Sequence, residues 1–243
     1  MVGLVMNLRY LKMKVKLFRY YLFGIFIFVL SSSLCLGSNI LEHSKSTVSG
    51  AFDTTGLYIL GVGTLATAIA FNQDQVIHDA WKDHQRMSSD TANLGNFWGS
   101  GVPEVGIAIG QLIFDSENGV AATEGLISST LLVQGLKFST KRPRPDSETV
   151  TSFPSGHTQI SFASATSLAW SYGWKAALPS YALGVLTGLS RLADNAHWLS
   201  DVITGATIGA LFGRAGFSHH FNILPVVTLG ETTTLGIVAT WSL

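Results

Sequence analysis

Pro154–Tyr172, with the sequence PSGHTQISFASATSLAWSY, joins a short polar signal to a long apolar run. The run Ile160–Tyr172 is too long for a typical strand and therefore predicts a helix. Ser155 is a favourable N-cap residue, and Gly156 lets an anion approach the backbone closely. The free N–H groups at a helix start form an anion site, to which His157 can donate a proton. Taken alone, the same fragment also fits a capped helix with an incidental surface histidine.

The segment before it, Lys137–Pro145, reads KFSTKRPRP. Lys137 ends a predicted helix, and Arg144 follows after six intervening residues. Two fixed cations suit a dianionic ligand, because lysine acts as a point charge and arginine can bind two phosphate oxygens with its planar fork. The prolines on either side of Arg144 stiffen the backbone there. A solvated basic loop is the alternative for this segment by itself.

The segment after it, Ser190–Asp201, reads SRLADNAHWLSD. Arg191 closes one predicted helix, and His197 and Asp201 stand four apart at the start of the next, which predicts that they share one helical face. Asp201 can then orient one imidazole nitrogen and leave the other free to attack, as in a catalytic triad with histidine as the nucleophile. The alternative is a surface His/Asp pair beside an unrelated arginine.

Apolar runs on both sides of these motifs predict six helices in total. If the helices run up and down, the three motifs meet at one end of an all-α bundle and form a pocket suited to phosphoryl transfer. The predicted helices cover Leu57–Phe71, Val105–Phe114, Val120–Leu136, Ile160–Tyr172, Ala176–Leu189 and Leu199–Phe212.

Two further elements are predicted outside this bundle. The polar stretch Gln73–Arg86 is typical of an amphipathic helix. Near the carboxy terminus, Asn222–Thr228 and Thr232–Trp241 are rich in valine, isoleucine and threonine and flank Gly230-Glu231, which indicates a β-hairpin.

The first 37 residues differ in character from the rest of the chain. Basic residues up to Arg19 precede the apolar run Tyr20–Leu30 and then the small residues Ser31–Ser38. This order is typical of a cleaved signal peptide, with an uncleaved anchor helix as the alternative. We therefore divide the chain into a leader, residues 1–37, and one domain, residues 38–243. Either form of leader predicts export to the cell envelope.

Composition restricts the class of function. Charged residues make up only 12% of the chain and hydrophobic residues 47%, which suggests membrane association. Five of the fifteen basic residues precede Glu42, so the remainder carries a formal charge of −5 and has no global attraction for nucleic acid. The single cysteine, Cys35, lies in the leader, which excludes intramolecular disulfides.

Together the motifs resemble the signature of the type 2 phosphatidic acid phosphatase and vanadium haloperoxidase superfamily. That signature is K-x6-RP, PSGH and SR-x5-H-x3-D, and Lys137–Asp201 carries every defining position at the expected spacing. The resemblance covers about Leu57–Phe212. It implies the family's all-α helical bundle, with about six core helices here and the hairpin as an addition.

The resemblance also implies a role for each residue of the motifs. His197 would attack phosphorus and form phosphohistidine, Asp201 would orient it, and His157 would protonate the leaving group. The phosphate oxygens would be held by Lys137, Arg144, Ser155, Gly156 and Arg191. The family's phosphatases need no metal, so no cofactor is expected.

The sequence therefore predicts a phosphatase acting on phosphate monoesters, including lipid phosphates or pyrophosphates. The alternatives are a vanadate-dependent haloperoxidase and a non-catalytic envelope protein that kept the fold. The predicted substrate is a phosphorylated small molecule or lipid, and the motifs leave its identity and any protein partner open. Most apolar runs are shorter than the ~20 residues of a membrane span. A helical bundle, periplasmic or membrane-associated with its site facing the periplasm, is therefore favoured, with membrane-spanning helices as the alternative.

Overall fold

The computed structural model describes residues 47–82, 86–217, 222–228 and 234–240. The predicted leader lies outside these residues, and its cleavage or retention stays a prediction. Eight helices longer than two turns and one antiparallel hairpin follow in order: α1 (Thr54–Phe71), α2 (Asp74–Lys82), α3 (Ser89–Trp98), α4 (Val102–Phe114), α5 (Ser116–Thr140), α6 (Gly156–Tyr172), α7 (Trp174–Ala193), α8 (Leu199–Ala215), β1 (Asn222–Thr228) and β2 (Thr234–Thr240).

The six predicted core helices are all present, as α1 and α4 to α8, and each extends a few residues beyond its apolar run. The amphipathic stretch after α1 forms α2. The hairpin is also present, with Asn222 paired to Thr240 and Thr228 paired to Thr234. These observations confirm the predicted all-α fold with its short carboxy-terminal hairpin.

Helix α3 was not predicted, because its sequence SDTANLGNFW lacks a long apolar run. Its first turn is capped by Ser88, whose hydroxyl accepts a hydrogen bond from the Thr91 N–H at 3.3 Å. Gly95 lets the helix lie directly against α7, since a Cβ there would meet the carbonyl oxygen of Leu186 at 2.8 Å. Tertiary packing against α7 therefore stabilises a helix that the apolar pattern of its sequence does not predict.

Helix α8 packs directly on the backbone of α6 through three glycines spaced four residues apart. A Cβ on any of them would overlap a backbone carbonyl oxygen of α6 or of its N-cap residue. Only glycine permits this approach. The contact places the start of α6 beside the start of α8, where two of the three motifs lie. The three positions are Gly205, Gly209 and Gly213.

We expect Gly209→Ala to lower the free energy of unfolding by about 2 kcal/mol, because the added methyl must push apart two packed backbones. Gly110→Ala is the matched control, since Gly110 lies in α4 with nothing within 4 Å of its would-be Cβ. That change should be neutral or stabilise by about 0.5–1 kcal/mol through helix propensity. Thermal unfolding of the two purified variants checks this. Equal unfolding midpoints would show that the α6–α8 approach is not tight.

Helix α1 presents apolar side chains outward. Within the described parts of the chain, it is the one helix that is both long enough and apolar enough to cross a membrane. Six of its large apolar side chains are between 49% and 69% exposed, so the bundle does not cover them. They are Leu57, Tyr58, Val62, Leu65, Ile69 and Phe71.

Candidate active site

The loop between α5 and α6 holds the first motif against the start of α6. Lys137 lies one turn before the end of α5, where its Nζ donates a hydrogen bond to the carbonyl oxygen of Thr151 at 2.6 Å. The Arg144 N–H donates to the carbonyl oxygen of Thr149 at 3.1 Å, which closes the loop on itself. The Cε of Lys137 lies 3.9 Å from the position that a Cβ on Gly156 would occupy. The lysine therefore reaches the predicted anion site.

The start of α6 is built as the sequence predicts. Ser155 is the N-cap residue, and its hydroxyl lies 3.5 Å from the backbone nitrogen of Thr158. The Ser155 N–H donates to the carbonyl oxygen of Asp201 at 2.9 Å, so it ties the start of α6 to the first turn of α8. His157 follows Gly156 in the first turn, with the backbone of Gly99 against its Cβ.

The start of α8 corrects one prediction. His197 and Asp201 do not share a helical face, because α8 begins at Leu199 and His197 precedes its N-cap residue, Trp198. They meet because the Asp201 carboxylate accepts a hydrogen bond from the Trp198 N–H at 2.9 Å, which folds the chain back over the first turn. His197 Nδ1 then lies 3.6 Å from Asp201 Oδ2. This is longer than a hydrogen bond, a separation common in catalytic sites without substrate.

Asp201 is fully buried, and its carboxylate accepts three hydrogen bonds. Its carboxylate accepts from the Ser152 hydroxyl, from the Trp198 N–H and from Arg142 Nη1, the last at 2.7 Å. Burial is the largest single effect and raises the pKa of Asp201. It is outweighed by the contact with His197, by these hydrogen bonds and by the charge of Arg142, so the pKa is lowered overall. Asp201 is therefore an ionised carboxylate at neutral pH and can orient His197.

Arg144 acts electrostatically on two further cations, Lys137 and Arg191. Its charge also acts on His197. Arg191 donates from Nη2 to Asp194 at 2.7 Å, yet its Nε is buried without a hydrogen-bond partner. The Nε of Arg144 is buried without a partner in the same way. These two buried guanidinium donors beside a lysine would be satisfied by a phosphate dianion.

His197 is 4% exposed. Burial lowers its pKa, and the charges of Lys137 and Arg144 lower it further, while Asp201 opposes them. The imidazole is therefore neutral at neutral pH, with Nδ1 toward Asp201. That arrangement leaves Nε2 with a free lone pair, as a nucleophile requires.

Burial, followed by repulsion from Arg144, lowers the pKa of Lys137 to about 8, although the charge of Asp201 opposes this. A lowered pKa means that the free protein loses this cation as the pH rises past about 8. We expect the kcat/KM for a phosphate monoester to fall above that pH, because a neutral lysine no longer attracts the dianion. In Lys137→Arg the fall should move to higher pH. Steady-state rates from pH 6 to pH 10 check this, and an unchanged alkaline limb in the arginine variant would contradict it.

The structure thus brings all eight predicted site residues to one end of the bundle, around the starts of α6 and α8. It adds two residues that sequence reasoning missed, Arg142 and Asp74. Arg142 lies inside the first motif, so its position between Lys137 and Arg144 could have marked it as a site residue. Asp74 lies more than sixty residues upstream of that motif in the polar stretch after α1, and no sequence pattern marks it.

Residues 118–224 match the model of the PAP2 superfamily. The chain is 35% identical to the lipid A 1-phosphatase of Porphyromonas gingivalis over 44% of its own length and 24% of that protein's. It is 38% identical to the lipid A 4'-phosphatase of Helicobacter pylori over 32% of its own length and 37% of that protein's. The chain therefore aligns with less than two fifths of either relative.

Solved structures give a longer match. The crystal structure of Aquifex aeolicus LpxE superimposes with a TM-score of 0.52 at 26% identity, covering 60% of this chain and 93% of that one. The phosphatidylglycerolphosphate phosphatase of Bacillus subtilis, at 21% identity and the same TM-score of 0.52, shares the fold. The motifs, their convergence at the starts of α6 and α8, and these matches agree: residues 118–224 are similar to the PAP2 superfamily, and the fold is similar to that of Aquifex aeolicus LpxE.

Proposed function

We propose that this protein is a phosphatase that hydrolyses the phosphate monoesters of lipids through a phosphohistidine intermediate. One observation carries the proposal: the buried Nε atoms of Arg144 and Arg191 have no hydrogen-bond partner, and the charge of Arg144 acts both on Arg191 and on the neutral imidazole of His197. Buried donors of this kind are costly unless a ligand accepts from them.

In the first step, the substrate phosphate lies between the start of α6 and the cations of Lys137, Arg144 and Arg191. Nε2 of His197 attacks phosphorus while the bond to the leaving oxygen breaks, and His157 protonates that oxygen. The product alcohol leaves, and the phosphoryl group remains on Nε2. Asp201 stabilises the positive charge that develops on the imidazole ring. The Ser155 hydroxyl, the Gly156 N–H and the three cations hold the equatorial oxygens as charge spreads over them.

In the second step, water attacks phosphorus opposite Nε2. His157, now neutral, accepts a proton from that water, and the bond between phosphorus and Nε2 breaks. Inorganic phosphate leaves, His157 becomes cationic again, and His197 returns to its neutral form. The same histidine thus acts first as acid and then as base.

The lipid part of the proposal is supported by two observations. The two curated relatives described above are named for phosphates of lipid A. In this chain, α1 carries exposed apolar side chains and ends at the α1–α2 corner, where Phe71 lies 5.0 Å from the guanidinium of Arg142. If the apolar face of α1 contacts a membrane, the α1–α2 corner and the adjoining site would lie near the lipid headgroups. We propose that it works in the cell envelope with the site facing the periplasm.

The test is release of inorganic phosphate by the purified full chain from a lipid phosphate in mixed micelles and from a water-soluble aryl phosphate. We expect turnover of both, a higher kcat/KM for the lipid, and inhibition by vanadate, which mimics the five-coordinate transition state. EDTA should have no effect. Turnover of the soluble ester alone would overturn the lipid assignment. Halide oxidation by peroxide after vanadate loading, without phosphate release, would replace the phosphatase with a haloperoxidase.

A further inference from the structure

A buried polar network connects the α1–α2 corner to the catalytic carboxylate. Arg142 donates from Nη1 to Asp201 Oδ1 and from Nη2 to Asp74 Oδ2, both at 2.7 Å. Asp74, the first residue of α2, accepts from the backbone N–H of Ser200 at 2.8 Å and from its hydroxyl at 2.6 Å. The carboxylate of Asp74 therefore contacts both Arg142 and the residue that precedes Asp201.

Aromatic rings hold the guanidinium of Arg142 in place. Its central carbon lies 5.0 Å from the centre of the Phe71 ring and 5.4 Å from that of Trp198. Side chains of Arg142 and Asp74 are only 19% and 7% exposed. A guanidinium that is buried, stacked and paired on two sides keeps one orientation, which lysine cannot reproduce.

The contacts of these two residues argue against a direct role in binding phosphate. Nη1 of Arg142 donates to Asp201 and Ser200, and Nη2 donates to Asp74. By contrast, the buried Nε atoms of Arg144 and Arg191 have no hydrogen-bond partner. Asp74 carries the same charge as a phosphate and pairs with Arg142 at 2.7 Å. We therefore expect their effect on the reaction to pass through Asp201.

We propose that Arg142 and Asp74 are positioning residues, which keep Asp201 oriented toward Nδ1 of His197. The inference rests on the proposed function of His197 and Asp201 and goes beyond the residues that the family model covers, since Asp74 precedes residue 118. A segment outside the matched region thus completes the orientation of the nucleophile. Asp74 acts on Arg142 and on Ser200, Arg142 acts on Asp201, and Asp201 acts on His197.

The first test is a double-mutant cycle with Asp74→Asn and Arg142→Gln, measured by phosphate release. We expect kcat to fall about 10-fold and about 100-fold respectively, with KM unchanged within about two-fold, because neither residue touches the substrate. Because Asp74 acts in part through Arg142, the loss of kcat in the double variant should be smaller than the product of the two single losses. Effects that multiply, or a raised KM at constant kcat, would overturn the proposal. Asp146→Asn is the control. Asp146 lies in the same loop as Arg142, but its carboxylate is 3.4 Å from Lys82 Nζ, so this variant should keep the wild-type kcat.

The second test does not require turnover. Histidine-selective nitrogen NMR reports which ring nitrogen of His197 carries the proton, and the signal is assigned by its loss in His197→Ala. We expect the Nδ1–H tautomer in the wild type and a mixture of tautomers in Arg142→Gln. If the spectrum of His197 is the same in all variants, the network does not position it. If the wild type is inactive but Arg142→Gln still changes the tautomer of His197, the proposed phosphatase function is wrong. The proposal that the network positions His197 would then still hold.

Discussion

Replacement of His197 by alanine is expected to reduce phosphate release by about 10,000-fold or more, because no other group can form the covalent intermediate. Binding should survive, since Lys137, Arg144 and Arg191 still hold the dianion. Rapid acid-free quenching followed by phosphorus NMR should detect a phosphohistidine signal in the wild type and none in the variant.

His78→Gln is the matched control for this experiment. His78 is another buried histidine of the same region, and its ring lies 5.4 Å from that of Trp198. It faces Asp146 and not the cations, so we expect its loss to change kcat by less than about 10-fold. Turnover within ten-fold of wild type in His197→Ala would show that phosphorus is attacked directly by water.

Replacement of His157 by glutamine is expected to lower kcat/KM for a lipid phosphate by about 100- to 10,000-fold, the usual contribution of a general acid. The loss should be much smaller for a nitrophenyl phosphate, because its leaving group departs as a stable anion. The parameter kcat/KM isolates this effect, since the leaving group departs in the first step, before water attacks.

Lys137→Ala provides the contrast for His157. Loss of a binding cation weakens the hold on the phosphate whatever the leaving group, so its effect on kcat/KM should be the same for both esters. If His157→Gln also lost the same factor for both esters, His157 would be a phosphate-binding residue and not the acid.

The candidate site could be predicted from the sequence to an unusual extent because its parts are local. Ser155 and Gly156 show their role within a single helix start, where the capping side chain and the free N–H groups are adjacent in the chain. Lys137 and Arg144 are separated by one loop. Six helices likewise followed from apolar runs longer than any strand.

The errors came where geometry depends on distant segments. The spacing of His197 and Asp201 suggested a shared helical face, but α8 starts only at Leu199, and a capping interaction with the Trp198 N–H brings the two together. Helix α3 has no apolar run and is stabilised by its contact with α7. Such features depend on packing between helices, which periodicity along one helix does not report.

By itself, the sequence of this protein determined the helical class, the positions of the core helices and the residues of the candidate site. All of these depend on residues close together in the chain. Only the tertiary structure decided how the nucleophile is oriented, because Asp74, Arg142 and Asp201 come from three separate segments. Their ion pairs join the start of α2, the loop after α5 and the first turn of α8.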